Sequence, residues 1–256
     1  MILHTVVSVD NRCLFVLFIN IICIKFIYKV IFFSHSNMHY TVKNLLDIKD
    51  KIKTYLNKLN IINNPKIIAV SKTFKIETML PLIDYGHIDF GENKVQEAVE
   101  KWTKIKMTNS KLKLHMIGKL QTNKVKFAVQ IFDYIHSVDS KKLAKKIADE
   151  QFKLNKKIKI FLQVNIGDED QKSGINKNNI TELVSYCKKI DLDVIGLMCI
   201  PPANLDAEIY FEEMNKLNKT LSLTKLSMGM SSDFLLAAKH SASHVRLGSS
   251  IFGRRG

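Results

Sequence analysis

The stretch Lys66-Ile67-Ile68-Ala69-Val70-Ser71-Lys72 decides how the rest of the chain is read. Its centre, residues 67–70, is a continuous apolar run rich in β-branched side chains, the pattern of a short strand covered on both faces, as in a parallel sheet. A single lysine, Lys72, stands at the C-terminal lip of that strand. In α/β barrels and open α/β sheets the carboxyl ends of the strands form the working face. An amine held there, partly out of water, gives up its proton more readily and can serve as a Schiff-base nucleophile. The plainer reading is a solvated lysine in a lysine-rich chain, and on this stretch alone both readings stand.

Outward from this strand, apolar runs bounded by turn residues place further strands at residues 88–91, 112–117, 134–138, 158–165, 194–199, 225–228 and 244–247. A leading helix is expected over 42–59, where Val42, Leu45, Ile48, Ile52, Leu56 and Leu59 recur at helical spacing. Helical patterns fill the gaps between strands at 76–83, 93–102, 123–131, 141–154, 178–190, 205–221 and 232–239. Eight strands alternating with helices are the count of an α/β (β/α)8 TIM barrel; a doubly wound open sheet is the competing arrangement.

A chain of 256 residues, 46% hydrophobic and 25% charged, can bury one large core. Its formal charge of +15 raises nucleic acid as a partner, but the lysines recur as scattered pairs such as Lys141-Lys142 and Lys188-Lys189, without interleaved aromatics or a binding motif. No nucleic acid is therefore expected. Cys13, Cys23, Cys187 and Cys199 show no CxxC spacing, which fits a reduced, cytoplasmic protein. Residues 14–33 form an apolar run about as long as a membrane-spanning helix, interrupted by Asn20, Lys25 and Lys29. Residues 1–37 are expected to lie outside the fold, from an upstream start or as an anchor, and residues 38–256 to form the barrel domain.

The loops that follow the strands carry the chemistry. Gly91-Glu92-Asn93 follows the second strand, and Asn93 reads as a helix cap or a ligand contact. His115 in the third strand alternates with buried residues as a core histidine would; no second His, Cys or carboxylate stands at ligand spacing, so no metal is expected. Cys199 reads as a small core residue. Ser227-Met228-Gly229-Met230-Ser231-Ser232-Asp233 and Arg246-Leu247-Gly248-Ser249-Ser250 follow the last two strands; small residues with exposed backbone N–H groups make a phosphate cradle. A lysine on the first strand and a phosphate cup on the opposite wall suggest a phosphorylated aldehyde as ligand.

Ala69-Val70-Ser71-Lys72, Phe90-Gly91-Glu92-Asn93, His115-Met116-Ile117-Gly118, Ser227-Met228-Gly229-Met230-Ser231 and Val245-Arg246-Leu247-Gly248 occur in this order. From about Met38 onward the chain resembles the pyridoxal phosphate homeostasis protein family (YggS/PROSC-like), itself similar to the N-terminal barrel of alanine racemase, of fold-type III. The resemblance implies pyridoxal 5'-phosphate held as a Schiff base on Lys72, with Ser231, Gly248 and Ser249 on its phosphate, Arg246 at the pyridine nitrogen and Asn93 beside the ring. Ser249 stands where the family often has threonine, which keeps the hydroxyl. An arginine at the pyridine nitrogen leaves the ring a weak electron sink. Alanine racemase takes its second base from a C-terminal domain, whereas this sequence stops soon after the eighth strand. The expected function is a monomeric carrier that buffers pyridoxal phosphate or delivers it to apoenzymes. The alternative is a racemase-like enzyme using Lys72 with a local residue such as His115.

Overall fold

The computed structural model describes residues 38–169, 173–203 and 205–253. Eight parallel strands run β1 (Lys66–Val70), β2 (Asp89–Glu92), β3 (Lys113–Met116), β4 (Tyr134–Val138), β5 (Lys159–Asn165), β6 (Asp193–Met198), β7 (Lys225–Ser227) and β8 (His244–Leu247). Each pairs with its chain neighbour, and β8 pairs back onto β1 in the register Lys66↔His244, Ile68↔Arg246. The sheet therefore closes into a (β/α)8 TIM barrel, and the open-sheet alternative is excluded. Closure also corrects one expectation. The cup after β7 and β8 stands beside β1, not on the opposite wall, because β8 is the strand hydrogen-bonded to β1.

Two side-chain layers result from the alternation of the strands. Ile67, Ala69, Phe90, Leu114, Ile135, Ile160, Leu162, Val245 and Leu247 face outward into one continuous core shared with the helices. Inward-facing positions are different. Tyr134, Phe161 and Met198 form a small apolar cluster of their own, and beside it stand Asp89, His115, His136, Ser227, His244 and Arg246, all buried. Barrels usually fill this space with branched aliphatics.

Helix α1 (Tyr40–Lys58) buries Val42, Leu45, Ile48, Ile52 and Leu56, one stripe of its surface, as its spacing predicts. It lies over the seam between the first and last strands. Asn44 Nδ2 donates to the carbonyl of Ile251 at 2.9 Å, and Asn63 Nδ2, just past the helix, to that of Ala238 at 2.8 Å. The remaining helices are α2 (Leu80–Asp84), α3 (Val95–Thr108), α4 (Val125–Ile131), α5 (Lys141–Leu154), α6 (Ile180–Lys189), α7 (Ala207–Thr220), α8 (Phe234–Lys239) and α9 (Ser249–Phe252). α5 starts on Ser140, whose Oγ accepts from the Leu143 N–H, and stops at Asn155 in the left-handed region, φ 47°.

The expected helix over 76–83 is broken into a 3₁₀ turn, Ile76–Thr78, and α2, because Pro81 has no N–H and fits only a first turn. A two-residue strand, Ile175–Asn176, pairs with Val164 and Asn165 and is too short to leave a periodic signal. Among the described residues no helix is long and apolar enough to cross a membrane, and no group of three His, Cys, Asp or Glu could hold a metal. The apolar run at 14–33 lies outside the described residues.

Candidate functional site

At the C-terminal mouth of the barrel a pocket of about 870 Å³ brings together all six residues singled out in the sequence: Lys72, Asn93, Ser231, Arg246, Gly248 and Ser249. Val70, Ile117, Gly118, Ile200, Met230 and Ser232 complete its wall. None of these twelve carries a carboxylate, so Lys72 and Arg246 give the pocket a positive character suited to an anionic ligand.

Lys72 is half-buried directly after β1, on a turn that the neighbouring strand and helix hold in place. The next residue, Thr73, has φ 69°, an uncommon conformation for a β-branched side chain. Its N–H donates to Glu97 Oε1 at 2.7 Å. On the other side of Lys72, the Ser71 hydroxyl donates to Glu92 Oε1 at 2.8 Å, and the Ser71 carbonyl accepts from Lys101 Nζ at 3.0 Å. Lys101 bridges the two carboxylates, at 2.9 Å to Glu92 and 3.1 Å to Glu97, while Trp102 Nε1 also donates to Glu92 Oε1 at 2.9 Å. Partial burial would raise the Glu97 pKa, but the Thr73 N–H and Lys101 outweigh it and hold the carboxyl below its ordinary value. The clamp of Glu92, Glu97, Lys101 and Trp102 escaped the sequence reading, although all four lie within the Phe90-to-α3 stretch.

Asn93 does not cap α3. The N-cap is Lys94, with no side-chain hydrogen bond, and Asn93 Oδ1 is buried without a protein partner. Gly118 explains its position: a Cβ there would come within 2.4 Å of the Asn93 carbonyl oxygen and 2.8 Å of its Cα, so only glycine lets the two loops meet.

The two loops of small residues meet after the paired strands β7 and β8. The Ser250 N–H donates to Ser231 Oγ at 3.4 Å, and the Ser249 hydroxyl lines the same wall. A Cβ at Gly248 would find nothing nearer than Val70 at 3.6 Å, so its absence leaves open room beside the serines. Gly229, at φ 89°, makes the turn after β7, and a Cβ there would strike Ala237 at 2.5 Å.

Arg246 is 5% exposed, with Nη1 donating to Ser227 Oγ and Nη2 to the Cys199 carbonyl, each at 2.8 Å. Burial lowers its pKa, partly offset by Cys199 and Asp233. Cys199 itself is fully buried and its thiol is pushed up to about 12, which bears out the reading of a core residue and leaves no thiolate for catalysis at neutral pH. His115 is also fully buried. It sits in the barrel lumen, bonded to Asp89 and His136, and does not line the pocket. The racemase alternative loses the partner base named for it.

Residues 44–256 match the family model described as alanine racemase, N-terminal domain. Curated relatives include the pyridoxal phosphate homeostasis proteins of Aquifex aeolicus, 37% identical over 75% of this chain and 88% of that protein, and of Escherichia coli K12, 32% identical over 83% and 95%. Among solved structures, PipY of Synechococcus elongatus PCC7942 with pyridoxal phosphate bound has a TM-score of 0.70 and 32% identity, covering 79% of this chain and all of PipY. An alanine racemase of Clostridium difficile 630, 16% identical with a TM-score of 0.60 over 80% of this chain and 57% of that one, shares the fold. The chain belongs to the alanine racemase N-terminal domain family, in its pyridoxal phosphate homeostasis protein branch.

Proposed function

We propose that this protein binds pyridoxal 5'-phosphate in the C-terminal pocket, holds it reversibly as a Schiff base on Lys72, and buffers it or delivers it to apoenzymes. The observation that carries the reading is the convergence, in one carboxylate-free pocket, of a strand-end lysine, two serine hydroxyls beside an open glycine, a buried guanidinium and an unpartnered amide oxygen. These fit the ligand's chemistry group by group. When bound, pyridoxal phosphate supplies an aldehyde that condenses with an amine and a ring that withdraws electrons.

In this reading Ser231, Gly248 and Ser249 receive the phosphate, and Asn93 Oδ1 accepts from a donor beside the ring. Arg246 stands at the pyridine nitrogen. Because a guanidinium only donates, the nitrogen facing it stays unprotonated, which weakens the ring as an electron sink. The Glu92–Lys101–Glu97 clamp keeps the Lys72 turn in register. Among the described residues, none lining the pocket is a His, Cys, Tyr, Asp or Glu that could serve as a second proton-transfer base, which favours holding over racemisation.

The test is borohydride reduction of protein incubated with pyridoxal phosphate, followed by peptide mass mapping. The expected result is a visible band that collapses on reduction and a pyridoxyl mass on Lys72. A modification spread over surface lysines, or no band, overturns the assignment. Uptake of solvent deuterium at the α-carbon of any amino acid at an enzymatic rate would instead favour the racemase-like alternative.

A further inference from the structure

Behind the pocket, the barrel lumen holds a string of polar side chains. Arg246 Nη1 lies 2.8 Å from Ser227 Oγ, Ser227 Oγ 2.8 Å from His136 Nδ1, His136 Nε2 3.0 Å from His115 Nδ1, and His115 Nε2 3.0 Å from Asp89 Oδ1. All five residues are buried. The string runs from the wall of the C-terminal pocket to a second pocket of about 860 Å³ at the N-terminal end of β1 and β2, which Asp89 lines.

The two ends determine where the hydrogens go. A guanidinium has donors only and an ionised carboxylate accepts only. With both imidazoles neutral, His115 must carry its hydrogen on Nε2 to meet Asp89, so its Nδ1 accepts from His136 Nε2–H. His136 Nδ1 then accepts, and Ser227 turns its hydroxyl hydrogen to it while receiving Arg246. Reversing the two middle bonds takes one more proton, placed on His115 or Asp89. Burial lowers the His115 pKa, more than Asp89 raises it, and burial with the charge of Arg246 holds His136 well below its ordinary value. For Asp89 burial acts upward, but the hydrogen bond from His115, with the charge of Lys66, outweighs it and keeps the carboxyl low. The His244 ring packs against both histidines and bonds Ser243 instead.

We propose that Asp89, His115, His136 and Ser227 form a one-way donor chain that positions Arg246, so that a carboxylate at the N-terminal end of the barrel governs how the guanidinium meets its ligand. The chain stands on this geometry; only the identity of the ligand rests on the proposed function. The four are positioning residues, since none but Arg246 reaches the pocket.

A double-mutant cycle tests it, read by pyridoxal phosphate affinity and the visible spectrum of the bound form. Asp89→Leu, which removes the acceptor, and Ser227→Ala should each shift the band and weaken binding about tenfold, the scale of one charge-assisted hydrogen bond. The double variant should lose no more than the worse single one, because both cut the same chain. Losses that multiply to about a hundredfold, or an unchanged spectrum, overturn the proposal.

Histidine ¹⁵N NMR of the unsubstituted protein decides the matter independently of how the variants fold. Both His115 and His136 are expected as neutral Nε2–H tautomers at pH 7. A Nδ1–H tautomer or an imidazolium at either overturns the chain. Unsubstituted protein that takes up no pyridoxal phosphate would sink the pocket reading alone, leaving the tautomers to judge the chain.

Discussion

The layer between sheet and helices and the lumen of the barrel are both buried, yet they are built on different principles. The outer layer is filled by side chains such as Ile67, Leu114, Ile147 and Phe211, whose contribution scales with area and does not depend on direction. The lumen carries hydrogen bonds whose order matters, from Asp89 to Arg246, with Tyr134, Phe161 and Met198 as its apolar share. The contrast teaches where tolerance lies. A methyl lost outside costs stability and leaves the pocket as it was, whereas an isosteric change inside leaves packing nearly intact and alters the site.

That division can be broken or sharpened by experiment. The largest effect falls on the pocket alone: Lys72→Ala should abolish borohydride-trapped pyridoxal phosphate while the thermal midpoint stays put, because a half-buried residue beyond the strand end contributes little packing. Persistent trapping at the same stoichiometry would contradict it.

Trp102→Ala should show the two layers joined at one point. Trp102 is fully buried and also donates to Glu92, so about 3–5 kcal/mol of stability should disappear in urea titration. The loosened clamp should also slow covalent capture at Lys72, and normal capture kinetics in the folded variant would separate clamp from site.

Acid should attack the lumen. Burial, with His115 and Lys66 nearby, drops the His244 pKa from 6.5 to about 3. Below pH 6.5 the unfolded chain binds a proton there that the folded chain refuses, so stability is complete above that pH and falls through the window down to about 3. The depressed Asp89 carboxyl acts in the same direction. A loss on the order of a few kcal/mol is expected across this window in pH-dependent urea midpoints, and a flat profile between pH 6.5 and 4 would count against neutral lumen histidines.

Smaller still at the site, Gly118→Ala should push the Asn93 backbone aside, weakening pyridoxal phosphate binding several-fold and lowering stability, checked by spectral titration and urea midpoints. The smallest effect belongs to the outer layer: Ile147→Val should cost about 0.5–1.5 kcal/mol and leave the bound spectrum unchanged.

What could be read from the sequence was what local pattern encodes. Strands at 134–138 and 244–247 match their observed bounds, and the others lie within two residues of theirs, because β-branched runs and breakers mark them. Lys72, Asn93 and the two small-residue loops were legible because each follows a strand whose end was already placed, whereas the roles of Ser231, Gly248, Ser249 and of Arg246, inside β8, came from the family resemblance. The lumen chain was not. Its members stand 26, 21, 91 and 19 residues apart, and none alone differs from an ordinary buried polar residue. His115 was read as a satisfied core histidine, which it is, but its partners come from β2 and β4 and exist only after closure. Pro81 was a missed local signal, since its place in the chain already forbade a continuous helix from 76 to 83.

The seam where β8 meets β1 sets a schedule for the molecule's assembly. Lys66 pairs with His244, so the last ladder joins residues separated by most of the chain, whereas every earlier ladder joins near neighbours. Such a long loop closes slowly, and a chain emerging from the ribosome can lay down β1 through β7 before it can seal the barrel. Lys72 stands on one side of this seam, Arg246, Gly248 and Ser249 on the other. The pocket is therefore complete only with the final strand, and until then Lys72 stands without Arg246, Gly248 and Ser249 beside it.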